Sequence, residues 1–340
     1  MSKQILVTGG CGYIGSHTCL QLLEQNYEVV VVDNLSNSKS KSLERVKQIT
    51  GKDLKFYQGD ILDYNFLDKI FIENDIYGVI HFAGLKAVGE SNNIPLKYYG
   101  NNISGTICLL EVMKKHNVKN IIFSSSATIY GNQEIQPIKE TAQLKEPTNP
   151  YGKTKLYIES ILKDLYNSDK EWNIILLRYF NPVGAHESGL IGEDSNGIPN
   201  NLMSYITQVA IGKRQELNIF GDDYDTHDGT GVRDYIHVCD LAKGIMHSLF
   251  YLEKSKGLEI INLGTGTGYS VLDVVKTFSK VLGYKLPYRI VNRRPGDVAR
   301  CFADVNHAYE VIGFKCEKTL EDMCYDSWNW QRKNLNGYEE

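Results

Sequence analysis

Residues 5 to 33, ILVTGGCGYIGSHTCLQLLEQNYEVVVVD, decide the fold. They read as strand, glycine loop, helix, strand and terminal acid. Gly9, Gly12 and Gly15 are spaced G-x-x-G-x-x-G. That spacing gives a tight turn, lets the backbone approach a pyrophosphate, and starts a helix with its free N–H groups facing the anion. Asp33 follows at the distance where an acid meets the ribose hydroxyls of a dinucleotide. A carboxylate there repels a 2′-phosphate, which favours NAD over NADP. The competing use of Asp33 is to cap the next helix.

Working outward, the apolar runs QILVTG, EVVVVDN, LKFYQGD, GVIHFAG, NIIFSSS and NIILLRY alternate with segments of helical period. Strands that read as continuous apolar runs are buried on both faces, so the expectation is an α/β, Rossmann-type doubly wound parallel sheet. After about residue 181 the rhythm breaks into long stretches rich in Gly, Asn and Asp, such as NPVGAHESGLIGEDSNGIPNNL and GDDYDTHDGTG. Irregular segments of that length are commonly binding loops. The predicted organisation is an NAD-binding Rossmann domain over residues 1–180 and a smaller α/β substrate-binding domain over 181–340, with some segments interleaved. The C-terminal YDSWNWQRKNLNGYEE reads as a capping helix and a frayed end.

The 340 residues carry a net charge of -4, which argues against a generally basic, nucleic-acid-binding surface. Seven scattered cysteines, without C-x-x-C spacing, indicate neither a disulfide framework nor a zinc site. No metal is expected. A strand beginning almost at Met1 leaves no room for a secretory signal, and no run is long and apolar enough to span a bilayer. A cytoplasmic location without a membrane partner is the default.

Two further stretches point to chemistry. NIIFSSSATIYG ends a predicted central strand on three serines, and ligands of open α/β sheets sit outside the carboxyl ends of strands. Ser126 is there to meet a substrate hydroxyl, or else to make a turn and a cap. In TNPYGKTK, Asn149 can N-cap a helix opened by Pro150. Tyr151 and Lys155 then share a helix face. A phenol with a pKa near 10 is a poor base at neutral pH. A neighbouring ammonium, joined by the positive nicotinamide, is expected to pull that value down, so that one residue serves as both base and acid. On its own, Tyr-x-x-x-Lys is common on amphipathic helices. "GD" at Gly59 and Asp60 lies where an adenine edge can be hydrogen-bonded, or makes a turn. NLGTGTGYSVLDVV lacks the first loop's spacing, and Ser270 with Asp273 reads as a capping box after a strand-to-helix turn.

Taken together, TGGCGYIGSH, HFAGLKAVGES, FSSSATIYG, PYGKTK, RYFNPVGAH, GIPNNL and GTGVRDYIHVCDLA resemble the UDP-glucose 4-epimerase family of extended short-chain dehydrogenases/reductases, from Lys3 to about Trp330. The resemblance implies NAD contacts from Tyr13, Ile14, Asp33, Asn34, Ser38, Asp60, Ile61, Phe82, Lys86, Asn101, Tyr151, Lys155 and Phe180. It implies UDP-sugar contacts from Ser126, Asn181, Asn201, Leu202, Asn218, Phe220, Arg233, Arg294 and Asp297. Forked guanidinium donors suit a diphosphate, although surface arginines otherwise tend to sit in salt bridges. Phe220 is of a type that packs on uracil.

The implied reaction removes the sugar 4-hydroxyl proton by Tyr151, helped by Ser126, as hydride leaves C4 for a tightly held NAD. The 4-keto sugar turns about its diphosphate and is reduced on its opposite face. One alternative is a nucleotide-sugar 4,6-dehydratase, which places an Asp-Glu pair just after the serine or threonine where this chain has Ala127 and Thr128. A second is a non-catalytic NAD-binding regulator, a type that usually loses the tyrosine or lysine kept here. Cys301 departs from the tyrosine of some family members, and a small residue there goes with acceptance of UDP-GlcNAc and UDP-GalNAc; the plainer reading is a buried, apolar cysteine. The family is usually dimeric, and the helices of LLEVMKKH and LYIESILKDLY suit pairing with their copies in a homodimer.

Overall fold

The computed structural model describes residues 3–194, 201–294 and 296–338. The six quoted apolar runs form strands β1 (Gln4–Thr8), β2 (Glu28–Asp33), β3 (Lys55–Gln58), β4 (Ile76–His81), β5 (Asn120–Ser126) and β6 (Asn173–Tyr179). With the strand Leu258–Leu263 at the far edge they make one seven-stranded sheet in the order Leu258–Leu263, β6, β5, β4, β1, β2, β3. Every pairing in it is parallel. Alternate side chains explain the continuous apolar runs. In β2, Val29 and Val31 enter one buried cluster with Leu20, Leu23 and Leu249, while Val30 and Val32 enter another with Leu67, Leu109 and Val112. The strand order reverses between β1 and β4, and a sheet of this kind opens its crevice at such a switch, outside the carboxyl ends of the strands.

The helix Pro150–Ser168 starts as its sequence predicts, with the Asn149 side chain accepting a 2.8 Å bond from the Gly152 N–H and Pro150 in the first turn. Ser270 and Asp273 close a reciprocal capping box on Val271–Leu282. Leu258–Leu263 follows residue 180 in the chain yet pairs with β6, while Val232–His237 centres a second sheet. Its neighbours are Asn181–Val183, Gly268–Ser270 and Arg300–Cys301. A separate pair joins Leu217–Phe220 to Tyr288–Val291.

The C-terminus corrects one expectation. After the helix Leu320–Lys333 the chain stays packed as far as Tyr338, which is buried against Trp330 with ring centroids 4.8 Å apart. Its hydroxyl also takes a 3.1 Å bond from the Gly192 N–H. The aromatic pair supplies the apolar burial that a loose end would lack. All seven cysteines are free thiols. Among the described residues, no helix is long and apolar enough to cross a membrane.

Candidate active site

A cleft of about 330 Å³ runs over the carboxyl ends of β1, β2, β4, β5 and β6. Its floor is the glycine loop. Gly9 has φ +73, and a Cβ on it would stand 2.8 Å from the Ala83 nitrogen. One on Gly15 would stand 2.3 Å from the Gly9 carbonyl oxygen. Only glycine lets the helix Tyr13–Glu24 start so close to the loop. Gly12 caps that helix without a side-chain bond, leaving first-turn N–H groups free toward the cleft, where they suit an anion.

At the tip of β2 the Asp33 carboxylate is buried and accepts from the Cys11 N–H at 3.0 Å, the Leu35 N–H at 2.9 Å and the Ser38 hydroxyl at 2.8 Å. It caps no helix. It ties the glycine loop to the turn after β2. Asn34 donates to Asp60 at 2.9 Å, which accounts for Asp60, a residue set just behind the cleft wall. Gly9, Gly12, Tyr13, Ile14, Gly15, Asp33, Asn34, Ser38, Ile61, Phe82, Lys86, Asn101, Tyr151, Lys155 and Phe180 all line the cavity. A dinucleotide fits this donor set: a glycine cradle a Cβ would fill, an open helix N-terminus and an acid at the ribose position.

Ser126, Asn181 and Asn201 line the same cavity. Lys155 is buried, and its ammonium donates to the Ser124 carbonyl at 2.5 Å and lies 6.0 Å from the Tyr151 ring centroid. Burial lowers the lysine to about 8. The Tyr151 phenol is raised, not lowered: burial outweighs a hydrogen bond from Ser126 that acts the other way. Lys155 alone therefore does not supply the lowering expected of it together with the nicotinamide. The ammonium is turned toward a backbone carbonyl, and the protein groups alone hold the phenol neutral. Ser126 meanwhile accepts from the Thr128 N–H at 3.3 Å and hydroxyl at 3.0 Å, capping the 3₁₀ turn Ala127–Tyr130, so its capping role is realised beside its place in the cleft.

The remaining sequence-predicted residues gather elsewhere. Leu202, Asn218, Phe220, Arg233, Arg294, Asp297 and Cys301 do not line the cavity. Arg294 pairs with Asp297 at 3.1 Å and its guanidinium lies 4.6 Å from the Phe220 ring centroid, while Arg233 reaches Asp297 at 3.8 Å. Both arginines thus stand in salt bridges with one acid. Asn218 accepts from Arg289 at 2.8 Å. Cys301 pairs in register with Arg233 and packs against the cluster holding Ala127 and Phe180, which links it to the cleft. Burial pushes its thiol up to about 11. Residues 197–200 of the GIPNNL block lie outside the described residues.

The sequence reading missed several groups. Ser124 acts through its carbonyl, which no side-chain motif announces. Tyr179 lines the cleft beside Phe180, and the strand-end rule that flagged Ser126 applies equally to it. Glu193 takes Lys86 at 3.1 Å and Asn201 at 2.7 Å, so one acid joins a residue assigned to the cofactor and one assigned to the sugar nucleotide. Its only signal was the acid pair Glu193–Asp194 in a glycine-rich loop.

The whole chain has close relatives. A family model described as GDP-mannose 4,6 dehydratase matches residues 6–327. The chain is 61% identical over 335 residues to UDP-glucose 4-epimerase of Bacillus subtilis (strain 168), covering 98% of each. It is 55% identical over 344 residues to UDP-glucose 4-epimerase of Homo sapiens, covering 99% of each. The crystal structure of UDP-glucose 4-epimerase from Bifidobacterium longum in complex with NAD+ and UDP superimposes with a TM-score of 0.96 at 55% identity, covering 98% of this chain and 100% of that one.

Proposed function

This chain belongs to the UDP-glucose 4-epimerase family of extended short-chain dehydrogenases/reductases, and we infer that it is an NAD-dependent isomerase interconverting UDP-glucose and UDP-galactose. The observation that carries the reading is a shared cavity. The glycine loop, Asp33, Ser126, Tyr151 and Lys155 all open onto it.

When bound there, NAD supplies the reversible hydride acceptor for the sugar's C4. The protein's own groups do the rest. Gly12 and the first turn of the following helix would hold its pyrophosphate, and Asp33 would take its ribose hydroxyls. Tyr151 moves the proton of the 4-hydroxyl, taking it in one half-reaction and returning it in the other. Ser126 turns its hydroxyl proton from the Tyr151 phenol to that hydroxyl oxygen, while still accepting from Thr128. Because burial raises the phenol further, ionisation needs positive charge brought close, and the Lys155 ammonium, 6.0 Å from the Tyr151 ring centroid, is such a group lining the cavity. Arg233 and Arg294 release Asp297 in favour of the diphosphate, with Phe220 against the base. The net redox change over a cycle is zero, so bound NAD is not consumed.

The dehydratase alternative lacks its acid and base. Ala127 is apolar and buried, and the hydroxyl of Thr128 is bonded back to Ser126. The small Cys301, packed beside Ala127 and Phe180, supports acceptance of UDP-GlcNAc and UDP-GalNAc as well. Two further parts of the reading concern assembly. Residues 1–180 with Leu258–Leu263 bind the dinucleotide, and the rest binds the UDP-sugar. Ile107 and Tyr157, large apolar residues exposed on the helices Gly105–Lys115 and Pro150–Ser168, support a homodimer closed through these two helices. A cytoplasmic setting suits seven free thiols.

The test is to incubate the purified protein, with no added NAD, with UDP-galactose and follow the C4 configuration by NMR. Conversion to UDP-glucose is expected. Conversion that occurs only with stoichiometric free NAD, with an oxidised product, refutes the isomerase.

A further inference from the structure

The helix that bears Tyr151 and Lys155 carries a third residue on the same face. Glu159 follows Lys155 by four positions, as Lys155 follows Tyr151, so the three side chains line one stripe. Glu159 is completely buried, and both its oxygens are used. One accepts from the Ser125 hydroxyl at 2.6 Å and Arg178 Nε at 3.0 Å; the other accepts from Arg178 Nη2 at 2.8 Å. Lys163 approaches from the outer side at 3.4 Å. Arg178 stands on β6 directly opposite Ser125 of β5. Its remaining nitrogen donates to the Tyr130 hydroxyl at 3.0 Å and the Glu140 carbonyl at 3.0 Å. Tyr130 ends the turn that Ser126 caps, and its hydroxyl donates onward to Asn262 at 2.6 Å.

Ser126 is thus gripped from both sides. Ser124, two residues before it, holds Lys155 through its carbonyl. Ser125 holds Glu159 through its hydroxyl. The turn after Ser126 is tied to Arg178 through Tyr130. A fully buried ion pair adds little net stability over an apolar pair of equal volume, because desolvation offsets the Coulomb attraction. Its directional bonds do something an apolar pair cannot. They set the height of the helix along the strand, and with it the distance between the Tyr151 hydroxyl and Ser126.

We propose that Glu159 and Arg178 are a positioning pair that holds the Tyr151–Lys155 helix in register with Ser126 at the end of β5. The proposal rests on the reading of Tyr151, Lys155 and Ser126 as the reacting set. Neither Glu159 nor Arg178 lines the cavity, and both are enclosed by protein, so neither reaches substrate or cofactor.

The experiment compares Glu159→Gln, Arg178→Met, the double variant Glu159→Met/Arg178→Met, and Ser125→Ala with the parent protein. Melting temperature, kcat, KM for UDP-galactose and UDP affinity are measured for each, with Tyr151→Phe in the same assay. The single variants leave one buried partner uncompensated and should melt early. The double variant should recover the melting temperature but not the rate, with kcat down about 10- to 100-fold, the scale of an ångström-sized misplacement of reacting groups. KM and UDP affinity should stay within about twofold, because the diphosphate site is elsewhere. Recovery of kcat along with melting temperature overturns the proposal, as does an equal loss in UDP affinity. Should the double variant not fold, Ser125→Ala decides, since it removes one hydroxyl: a several-fold fall in kcat at constant KM supports the proposal and an unchanged kcat overturns it. A Tyr151→Phe protein that still turns over would overturn the underlying reading as well, whereas an inactive one with a fully active double variant overturns the positioning role alone.

Discussion

Replacing Gly15 with alanine tests the cofactor cradle at the point where the backbone leaves least room. The added Cβ would lie 2.3 Å from the Gly9 carbonyl oxygen and 2.8 Å from the Gly10 Cα. Ordinary contacts for such an atom begin near 3.4 Å, so loop and helix must part by about 1 Å. Neither obstacle is a side chain that can rotate away. The loop is also pinned from behind, because the Gly9 N–H donates to the Val32 carbonyl at 2.7 Å and the Gly12 N–H to the Gly9 carbonyl at 3.2 Å. Overpacking of this kind costs about 1–3 kcal/mol. Displacing the helix N-terminus from a bound pyrophosphate converts a cost of that size into a loss of about tenfold or more in NAD affinity. Gly15→Ala should therefore leave gel filtration with less NAD per chain and a lower melting temperature, and excess NAD should restore turnover with KM for UDP-galactose unchanged. Gly89→Ala is the control, since that glycine is exposed with nothing within 4 Å of the added atom. A Gly15→Ala protein with the parent's NAD content and melting temperature would refute the close-approach reasoning.

Tyr151→Phe keeps the ring and removes the proton carrier, so turnover should fall by about 10²- to 10⁴-fold while NAD remains bound; near-parental kcat would send the proton through another group. Lys155→Met removes a buried charge. The folded-state pKa is about 8 against the ordinary 10.5, so the unfolded chain binds more protons between those values and that lysine's penalty is present below about pH 8 and disappears as pH rises toward 10.5. In protein freed of dinucleotide, the variant should be more stable at pH 7, by up to roughly 3 kcal/mol, and the gap should close at high pH while NAD binding and rate both fall. Parallel pH–stability curves in urea melts would contradict this. Cys301→Tyr should abolish turnover of UDP-GalNAc and spare UDP-galactose; an unchanged ratio of the two rates would show that the residue does not shape the sugar pocket.

Those tests divide along the same line as the structure. Features set by neighbours in the chain were legible in the sequence alone. The Asn149 cap and the Ser270–Asp273 capping box depend on residues within a few positions and are present with the predicted bonding, and Gly15 stands where any side chain would collide with the Gly9 carbonyl. Five of the six strands were legible as buried runs, because side chains on both faces of a covered sheet must be apolar, whereas β3, at the sheet edge, has no fully buried residue. Tertiary structure decided what depends on distant chain segments meeting. Leu258–Leu263 becomes the sheet edge beside β6, and Arg233 and Arg294 meet over Asp297. Tyr338 closes onto Gly192. The electrostatics of the opposed Tyr151 and Lys155 belong to the same class. Their four-residue spacing was visible from the start, but the direction of each pKa follows from how deeply the assembled sheet and helices bury them, and burial is a property of the whole fold. The sequence therefore named Tyr151 and Lys155 as candidates, and only the fold determined that burial raises the phenol further and that the ammonium rests on the Ser124 carbonyl.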